Sequence, residues 1–421
     1  MRLWTRRGVA AGLLLAPLPA AAEVSLDFVA DDDAVERFRA ELPAALIDAS
    51  AWPVDTRAPD YAHLDGAPRQ DEFDLTAATL EKLMVSNGFG PRPDQGETKD
   101  KFHDDDHILF ALRGCVLATG QASGVVSERV RLKVTRPNLR APRCIVGVWR
   151  RRSGDGGPAG LLVVPGSTVP NAEAVALQHY VQSRTKKDDP LIGKTKGVAR
   201  AANLLPTGRY NYLVGSHGKY DGAFPRFDGV FRLARRPADF ENPKAELEQA
   251  SVPVLRAALA PTVDLASRWD VFAAFDNIHP GITPKLTPSA WSRGVRFSSE
   301  GCITIWDPAE RTGPPYGKGA NWSALRAACG VRGSAQDARR YHSVCLLTGA
   351  EAALAAQGKT AARLRYGSDG QAVVDLQKHL GLTDPDGEFG VATLTAWLAA
   401  QRRSGVTLPF PIARPDKWPS R

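Results

Sequence analysis

Short runs of apolar and β-branched residues, separated by Gly, Pro and Asn, dominate the middle of the chain. Runs of this kind, bounded by residues that favour turns, are typical of β-strands. They predict strands at 108–112, 130–134, 144–149, 161–165, 208–215 and 227–233. Strands that are spaced by turns, with few helices among them, favour a sandwich or barrel. We therefore predict an α+β fold, mainly antiparallel, with helical insertions.

Helical periodicity is found in separate segments around these strands. Asp74 stands where the N-cap of one such segment is expected, and Asn-Gly at 87–88 marks its end. The segment 237–261 is polar with loosely spaced apolar residues, which predicts a helical insertion able to form a lid. Apolar residues recurring at helical spacing predict helices over 35–46, 74–87, 237–261, 322–329 and 335–347.

The C-terminal region has the most regular pattern in the chain. Two apolar stripes at helical spacing lie on either side of an Asp-Gly turn at 386–387: Val373, Leu376 and Leu380, then Leu394, Trp397 and Leu398. A generic helical bundle explains the stripes but not the Gly-Glu-Phe-Gly step at 387–390. With that step, residues 361–403 resemble the peptidoglycan-binding domain of cell-wall hydrolases, which implies a small all-α, three-helix domain. Residues 404–421 form a Pro-rich tail.

The N-terminal residues indicate export. Residues 1–22 combine Arg2, Arg6 and Arg7 with a short apolar run and Ala-Ala-Ala, the pattern of a secretory signal peptide. Thr-Arg-Arg also fits twin-arginine export, although an ordinary signal peptide explains it equally well. No later run reaches the ~18 apolar residues of a transmembrane helix. We expect a periplasmic or secreted, wall-associated protein without stable membrane insertion.

Length and charge limit the function classes. The 421 residues exceed a typical single core, so two or three domains are expected. The net charge of +8 is dispersed along the chain. Nucleic-acid-binding proteins usually concentrate Lys and Arg on one element, so nucleic acid is not an expected partner. A mild positive charge favours, at most, an anionic cell envelope.

One pair of segments carries the candidate chemistry. Asn-Ile-His-Pro-Gly at 277–281 is followed, about twenty residues later, by Ser-Ser-Glu-Gly-Cys-Ile-Thr at 298–304. An imidazole beside a thiol promotes the reactive thiolate and can later protonate a leaving amine. Gly301 leaves room for a substrate carbonyl, and the N–H groups of Gly301 and Cys302 are candidate oxyanion donors. Equally, a free Cys is often a small buried apolar residue, and a lone His is often structural.

The order His, then Ser-x-Gly-Cys and an apolar residue, resembles the active-site signature of the L,D-transpeptidases, penicillin-insensitive enzymes that cross-link peptidoglycan. The resemblance implies that Cys302 attacks a stem-peptide carbonyl and that His279 is the base. It also implies that Ser299 and Gly301 shape the oxyanion site, with no metal or organic cofactor. The chain departs from the family pattern at two positions. The family has His where this chain has Glu300, and it has Arg or Asn where this chain has Thr304.

Two further segments support the same resemblance, which covers roughly residues 105–330. They are Gly-Ser-Thr-x-Pro at 166–170 and a Gly-x-His strand that ends at His217. His217 either lines the site, where it would orient His279 or bind a substrate carboxylate, or caps a turn. The predicted domains are an N-terminal extension with helices (23–104), an L,D-transpeptidase-like catalytic domain (105–350) and the peptidoglycan-binding domain (361–403).

These observations predict an exported cysteine acyltransferase that forms a thioester with a peptidoglycan stem peptide at Cys302. The expected partner is peptidoglycan, through its stem peptides and glycan. Two alternatives remain open: a peptidase that hydrolyses peptidoglycan peptides on the same scaffold, and a non-catalytic wall-binding protein. The oligomeric state is left open.

The remaining cysteines and histidines give weaker signals. An odd count of five cysteines leaves one thiol unpaired in an exported protein. Disulfides between Cys115 and Cys144 and between Cys329 and Cys345 would leave Cys302 free. The alternative that all five cysteines stay reduced is also open. The histidines at 103 and 107 flank three Asp, but a solvated turn is favoured over a metal site because no further ligand motif accompanies them.

Overall fold

The computed structural model describes residues 72–89, 107–135, 137, 140–151, 159–171, 203–217, 227–234, 252–256, 269–272, 277–281, 299, 301–307, 319–333, 341–404, 413 and 418. The predicted signal peptide and the predicted helix over 35–46 lie outside the described residues, as do His103 and Glu300.

The strands are β1 (Glu72–Thr76), β2 (His107–Arg113), β3 (Cys115–Leu117), β4 (Val126–Ser127), β5 (Arg129–Val134), β6 (Cys144–Arg150), β7 (Gly160–Ser167), β8 (Asn203–Leu204), β9 (Gly208–His217), β10 (Phe227–Ala234), β11 (Val252–Arg256), β12 (Trp269–Phe272), β13 (Asn277–Pro280), β14 (Ile303–Ile305) and β15 (Tyr341–Thr348). The helices are α1 (Ala77–Ser86), α2 (Ala320–Ala328), α3 (Gly349–Ala356), α4 (Gln371–Leu380) and α5 (Val391–Arg403).

One large sheet organises the protein. Its strand order is β14-β13-β10-β9-β15-β2-β6-β7-β4, and β14 also pairs with β7, so the sheet closes into a nearly barrel-shaped wall. Its neighbours are antiparallel except for the pairs β13–β14 and β15–β2. Two smaller sheets have the orders β1-β5-β3 and β12-β11-β8. The prediction of an α+β fold with mainly antiparallel sheets is confirmed.

Two apolar cores lie on the two faces of the large sheet. One collects side chains from β2, β6, β7, β9, β13, β14, β15 and α2. Because it gathers residues from strands all around the closed sheet, it is the interior core. The other lies on the outer face, where β1, β5, α1 and α3 cover β2, β6, β7 and β15. Leu109 belongs to the interior core, whereas Phe110 belongs to the outer one, as the alternation of a strand buried on both faces requires.

The predicted start of the first described helix is wrong. Asp74 does not cap a helix but lies in β1, which pairs with β5. Its carboxylate forms ion pairs with Arg131 at 3.1 Å and Arg129 at 3.3 Å. The helix begins three residues later, where the Thr76 hydroxyl accepts the N–H of Thr79 at 3.2 Å. The buried alternation of Phe73 and Leu75 made this segment suitable for a strand.

Two other predicted helices also contain strands. Within the predicted helix 335–347, the described part from Tyr341 onwards is β15, which lies between β9 and β2 in the large sheet. A strand buried on both faces has a continuous apolar run, which periodicity alone does not distinguish from a helix. Within the predicted insertion 237–261, residues 252–256 form β11. The predicted helix 322–329 is confirmed as α2, and all the strands predicted at the start are found.

The C-terminal region contains two helices among residues 361–404, not the three that the resemblance implies. The predicted stripes lie on α4 and α5, where Val373, Leu376, Leu394 and Trp397 are fully buried. Gln377 of α4 holds the intervening turn, because its amide donates to the Asp386 carboxylate at 2.6 Å and accepts the Gly387 N–H at 2.9 Å. We refer to residues 361–404 as the C-terminal unit.

The C-terminal unit is fastened to the β-rich part of the protein by polar contacts. Arg209, in β9, forms an ion pair with Asp369 at 2.6 Å, and both side chains are largely buried. Tyr366 stacks on Tyr210, with ring centroids 5.2 Å apart. The N–H of Asp369 donates to the carbonyl of Gly88, just after α1, at 2.8 Å. Since these bonds join backbone as well as side chains, the unit is held in one orientation rather than tethered by a linker.

Within the described residues, no helix is both long and apolar enough to cross a bilayer.

Candidate active site

Three segments singled out by their sequence meet on adjacent strands. The Gly-Ser-Thr-x-Pro segment ends β7, the Ile-Thr after the candidate cysteine lies in β14, and the candidate histidine lies in β13. β14 pairs with both of the other strands, with Thr304 opposite Ser167 on one side and His279 on the other. Segments that are far apart in the sequence are therefore neighbours in the closed sheet.

The candidate residues share the outer face of this part of the sheet. Ile278 of β13 and Ile303 of β14 belong to the interior core. Because successive side chains of a strand alternate between faces, His279 and Thr304 point outward. A Cβ built on Gly281 would lie 3.4 Å from the Thr304 Cβ, which independently places Thr304 on that face.

Cys302 lies immediately before β14, next to the strand that carries His279. Its sulfur accepts the backbone N–H of Asn277 at 3.4 Å. Because Ile278 is paired with Ile303, Cys302 is level with Asn277 and two residues short of His279. A separation of one strand and two residues corresponds to about 8 Å between Cα atoms, a span that an imidazole and a thiol can bridge. The parallel pairing of β13 and β14 thus places the two candidate catalytic residues next to each other in the sheet.

A backbone hydrogen bond fixes the tautomer of His279. Its Nδ1 lies 2.7 Å from the carbonyl oxygen of Pro280, and the ring is only 4% exposed. A carbonyl oxygen accepts hydrogen bonds and donates none, so Nδ1 carries the proton. In the neutral imidazole the lone pair is therefore on Nε2, the nitrogen that acts as a base when the other is held by a carbonyl.

Ser299 and Gly301 build the turn that presents Cys302. The Ser299 hydroxyl donates to the Cys302 carbonyl at 2.8 Å and accepts the Gly301 N–H at 3.1 Å. Gly301 has φ of 152°, which a residue with a side chain rarely adopts. The prediction that its N–H faces an oxyanion is wrong for this arrangement, because that N–H is bonded to Ser299. Both residues fix the backbone at Cys302. Their predicted role in shaping an oxyanion site stays a prediction.

The segment after β7 supports this turn from the other side. The N–H of Asn171 donates to the Ser299 carbonyl at 2.8 Å. A Cβ at Gly166 would collide with the carbonyl oxygen of Thr304, so the close approach of β7 to β14 requires glycine at this position. The Gly-Ser-Thr-x-Pro segment stands out in the sequence only through the resemblance, and its contact with Ser299 has no signal there.

Thr304 is a site residue whose importance the sequence did not reveal. Its side chain is fully buried, between Ser167 and His279 on the neighbouring strands. Among the described residues, its hydroxyl has no hydrogen-bond partner. Most buried polar groups in proteins have a hydrogen-bond partner, because a buried hydroxyl without one is costly. Thr304 is therefore unusual. The only signal in the sequence was that the L,D-transpeptidases, which the segment resembles, have Arg or Asn at this position.

His217 is the last residue of β9 and is two strands away from β13. It is paired with Phe227 of β10, whereas Ile278 of β13 is paired with Phe231, farther along the same strand. The strand order therefore puts β10 between His217 and the strand that carries His279. The choice between orienting His279 and capping a turn stays a prediction.

The predicted disulfides are not formed. All five cysteines are free thiols, so the alternative that all remain reduced is the one that the structure shows. Cys115 and Cys345 belong to the outer core, whereas Cys144 and Cys329 belong to the interior core. The large sheet therefore separates the members of each predicted pair. Of the five, Cys302 alone is not fully buried.

Burial keeps three other thiols protonated. It raises the pKa of Cys144 and of Cys345 to about 12, and it raises the pKa of Cys115 as well. Thiolate is the nucleophilic form, so these cysteines are unreactive near neutral pH. Cys302 is thus the thiol best placed for chemistry.

These buried thiols predict a loss of stability in alkali. An unfolded cysteine ionises near pH 9, whereas in the folded protein Cys345 holds its proton until about pH 12. The stabilising effect is complete below pH 9 and is lost as the pH rises towards 12, by up to about 1.4 kcal/mol per pH unit for one thiol. Urea denaturation at pH 8 to 11 should show a smaller decline for Cys345→Ala than for the wild type. Equal declines would contradict the prediction.

Within the described residues, no group of three or more His, Cys, Asp or Glu is arranged to hold a metal ion. His107, one of the two histidines near the acidic run, begins β2 and is paired with Arg150.

Comparison with known proteins adds no relative to this description. No protein family, no curated protein and no solved structure matches the chain.

Proposed function

We propose that this protein is an exported, L,D-transpeptidase-like cysteine acyltransferase that acts on peptidoglycan stem peptides. One observation supports the proposal above the others. The only cysteine that is not fully buried lies beside the strand carrying a histidine whose tautomer leaves Nε2 as a base. A thiol and a neutral imidazole on adjacent strands are the groups that nucleophilic acyl transfer requires.

The proposed first step is acylation of Cys302. Nε2 of His279 takes the thiol proton, and the thiolate attacks a stem-peptide carbonyl to give a tetrahedral intermediate. The C–N bond then breaks, the imidazolium gives its proton to the leaving amine, and a thioester remains on the sulfur. The Asn277 N–H at 3.4 Å favours the thiolate in this step, because hydrogen bonds to an ionised acceptor are stronger than those to a neutral one.

The second step resolves the thioester. An incoming amine gives a new cross-link, and water gives a shortened stem peptide. In both cases His279 removes a proton from the nucleophile and returns it to the departing Cys302 sulfur. The same two side chains therefore serve both steps, and the acceptor decides between a transpeptidase and a peptidase.

The C-terminal unit is proposed to bind the wall. Support comes from the resemblance of residues 361–403 to peptidoglycan-binding domains and from the buried stripes on α4 and α5. The proposed location in the periplasm or outside the cell rests on the pattern of residues 1–22. Because the unit is fastened to the β-rich part, wall binding would hold the site at a fixed orientation to the glycan.

The test of acyl transfer is the intact mass of the protein after incubation with a stem tetrapeptide. We expect a mass increase equal to the acyl tripeptide, mapped to Cys302 and reversed by an amine acceptor. Release of cross-linked product indicates transfer to the amine, and release of tripeptide alone indicates hydrolysis. A wild-type protein that forms no adduct and releases no product under these conditions refutes the enzyme proposal.

Wall binding is tested with a truncation that keeps the ion pairs between the C-terminal unit and the β-rich part. A chain ending at Gly370 keeps Arg365 and Asp369 with their partners in the β-rich part but lacks α4 and α5. We expect the truncated protein to form the Cys302 adduct with the soluble tetrapeptide and to lose retention on purified sacculi. Undiminished retention of the truncated protein would contradict the wall-binding role of the unit.

A further inference from the structure

A buried arginine lies at one end of a chain of contacts that leads to the candidate nucleophile. Arg113, the last residue of β2, is fully buried. Its Nε donates to the Thr168 hydroxyl at 3.0 Å, and its Nη2 donates to the carbonyls of Leu205 at 2.6 Å and Thr168 at 3.3 Å. A guanidinium is costly to remove from water. Two of these three bonds go to Thr168 and the third goes to Leu205. The guanidinium therefore fixes Thr168 against the segment that precedes β9.

The segment held by Arg113 runs from Ser167 to Asn171 and is braced internally. The Ser167 hydroxyl donates to the Val169 carbonyl and accepts the Val169 N–H, both at 3.3 Å. Pro170 adds a fixed φ. A displacement at Thr168 is therefore transmitted to Asn171 rather than absorbed by a flexible loop.

The far end of the segment contacts the turn of the nucleophile. Asn171 donates its N–H to the Ser299 carbonyl at 2.8 Å, and the Ser299 hydroxyl donates to the Cys302 carbonyl at 2.8 Å. Hydrogen bonds at both ends of the segment thus join the guanidinium to the backbone of Cys302. The base, in contrast, is fixed independently by the Pro280 carbonyl.

We propose that Arg113 is a positioning residue that sets the Cys302 sulfur relative to His279 through Thr168 and the segment 167–171. In this role it acts through the backbone that it holds. The inference rests on the proposed function only for the chemical use of Cys302. Activation of Cys144 is not the role of Arg113, because burial raises the pKa of that thiol to about 12 in spite of the nearby Thr168 and Arg113.

The test uses Thr168→Val, which removes the acceptor of Arg113 Nε without changing the volume of the side chain. Its readout is the rate of Cys302 alkylation by iodoacetamide in the full-length protein, measured from pH 5 to 9 and assigned by peptide mapping. We expect the rate at pH 7 to fall about tenfold, equivalent to about 1.4 kcal/mol, the size of one lost hydrogen bond. We also expect the pH midpoint of reactivity to move upward. Thr168→Ser keeps the hydroxyl and should retain the wild-type profile.

Thr393→Val is the matched control. The Thr393 hydroxyl is also buried and accepts a side-chain N–H, from Gln377 at 2.8 Å, but it lies in α5 of the C-terminal unit. The Thr393 hydroxyl also donates to the Glu388 carbonyl at 2.9 Å, and the Thr168 hydroxyl also bonds the Cys144 thiol. Each valine variant therefore loses two hydrogen bonds, so a general loss of stability affects both. Only Thr168→Val should change the pH midpoint of Cys302 reactivity.

A Thr168→Val protein with the wild-type rate and pH midpoint overturns the proposal. If this variant does not fold, Arg113→Lys, which keeps the charge but loses the planar fork, is measured in the same way, and a wild-type profile again overturns it. A slowed Thr168→Val in a protein that forms no stem-peptide adduct would leave the positioning role standing and refute the enzymatic function. The two proposals can therefore fail separately.

Discussion

Replacing His279 by Ala should slow acylation of Cys302 by about 10²–10⁴, the range usually attributed to a positioned general base. The variant loses Nε2, which takes the thiol proton, and the ring that Pro280 holds in one tautomer. Cys302→Ser should abolish the adduct, because a neutral hydroxyl is a poor nucleophile where the site is built for a thiolate. The rate of adduct formation with a stem tetrapeptide, followed by intact mass, measures both effects.

His379→Ala provides the control for the histidine substitution. His379 lies in α4, where its ring contacts Trp418 at a centroid distance of 5.2 Å, in the C-terminal unit rather than on β13. Acylation by this variant should match that of the wild type. If His279→Ala also acylates at the wild-type rate, while remaining folded, His279 is not the base and the proposed mechanism is wrong.

Replacing Arg365 by Met should lower the free energy of unfolding by about 3–5 kcal/mol. This is the usual cost of removing one member of a buried ion pair and leaving the other charge without its partner. Arg365 pairs with Glu351 at 2.5 Å, and both side chains are fully buried. The carboxylate also accepts the Thr348 N–H at 3.2 Å and its hydroxyl at 2.9 Å, and Arg363 lies 3.8 Å away. These contacts are weaker than the direct pair with Arg365. Urea denaturation monitored by circular dichroism measures the loss.

The double variant Glu351→Gln with Arg365→Met separates the unpaired charge from lost packing. Gln is able to keep the capping box that Glu351 forms with Thr348 at the start of α3. It does so without a buried negative charge, so most of the lost stability should return. An Arg365→Met protein as stable as the wild type would contradict this account of the interface.

This pair connects the start of α3, just after β15, with the first residues of the C-terminal unit. Arg365 also donates to the Thr207 hydroxyl at 2.6 Å, just before β9. A substitution there should therefore loosen the contact between the unit and the β-rich part before it disturbs α4 and α5. In the proposed function, that contact sets how the wall is presented to Cys302.

The strands were predictable because their signals are local. A buried strand needs apolar, β-branched residues and a turn after it, and both are visible in a window of a few residues. The types of residue in the candidate site were also visible, since a Gly-Cys step after an upstream His is a local pattern. The stripes of α4 and α5 followed from helical periodicity in the same way.

Other features depended on contacts between distant segments. Tyr341–Thr348 is a strand because β9 and β2 cover its two edges, although its apolar run also fits a helix. Cys115 and Cys144 do not pair because the sheet puts them in different cores, which spacing along the chain does not reveal. Asp74 gave a helix-cap signal, but pairing of β1 with β5 determined its conformation.

By itself, the sequence determined the α+β class, the position of most strands and the identity of the candidate thiol and imidazole. The closed strand order decided the rest, because it alone makes β7, β14 and β13 neighbours. Three features of the site depend on hydrogen bonds between groups that meet only on folding. They are the partner of the Gly301 N–H, the tautomer of His279 and the burial of Arg113. Such bonds carry no signal in the local pattern of residues, since almost any polar partner is compatible with that pattern until the tertiary structure selects one.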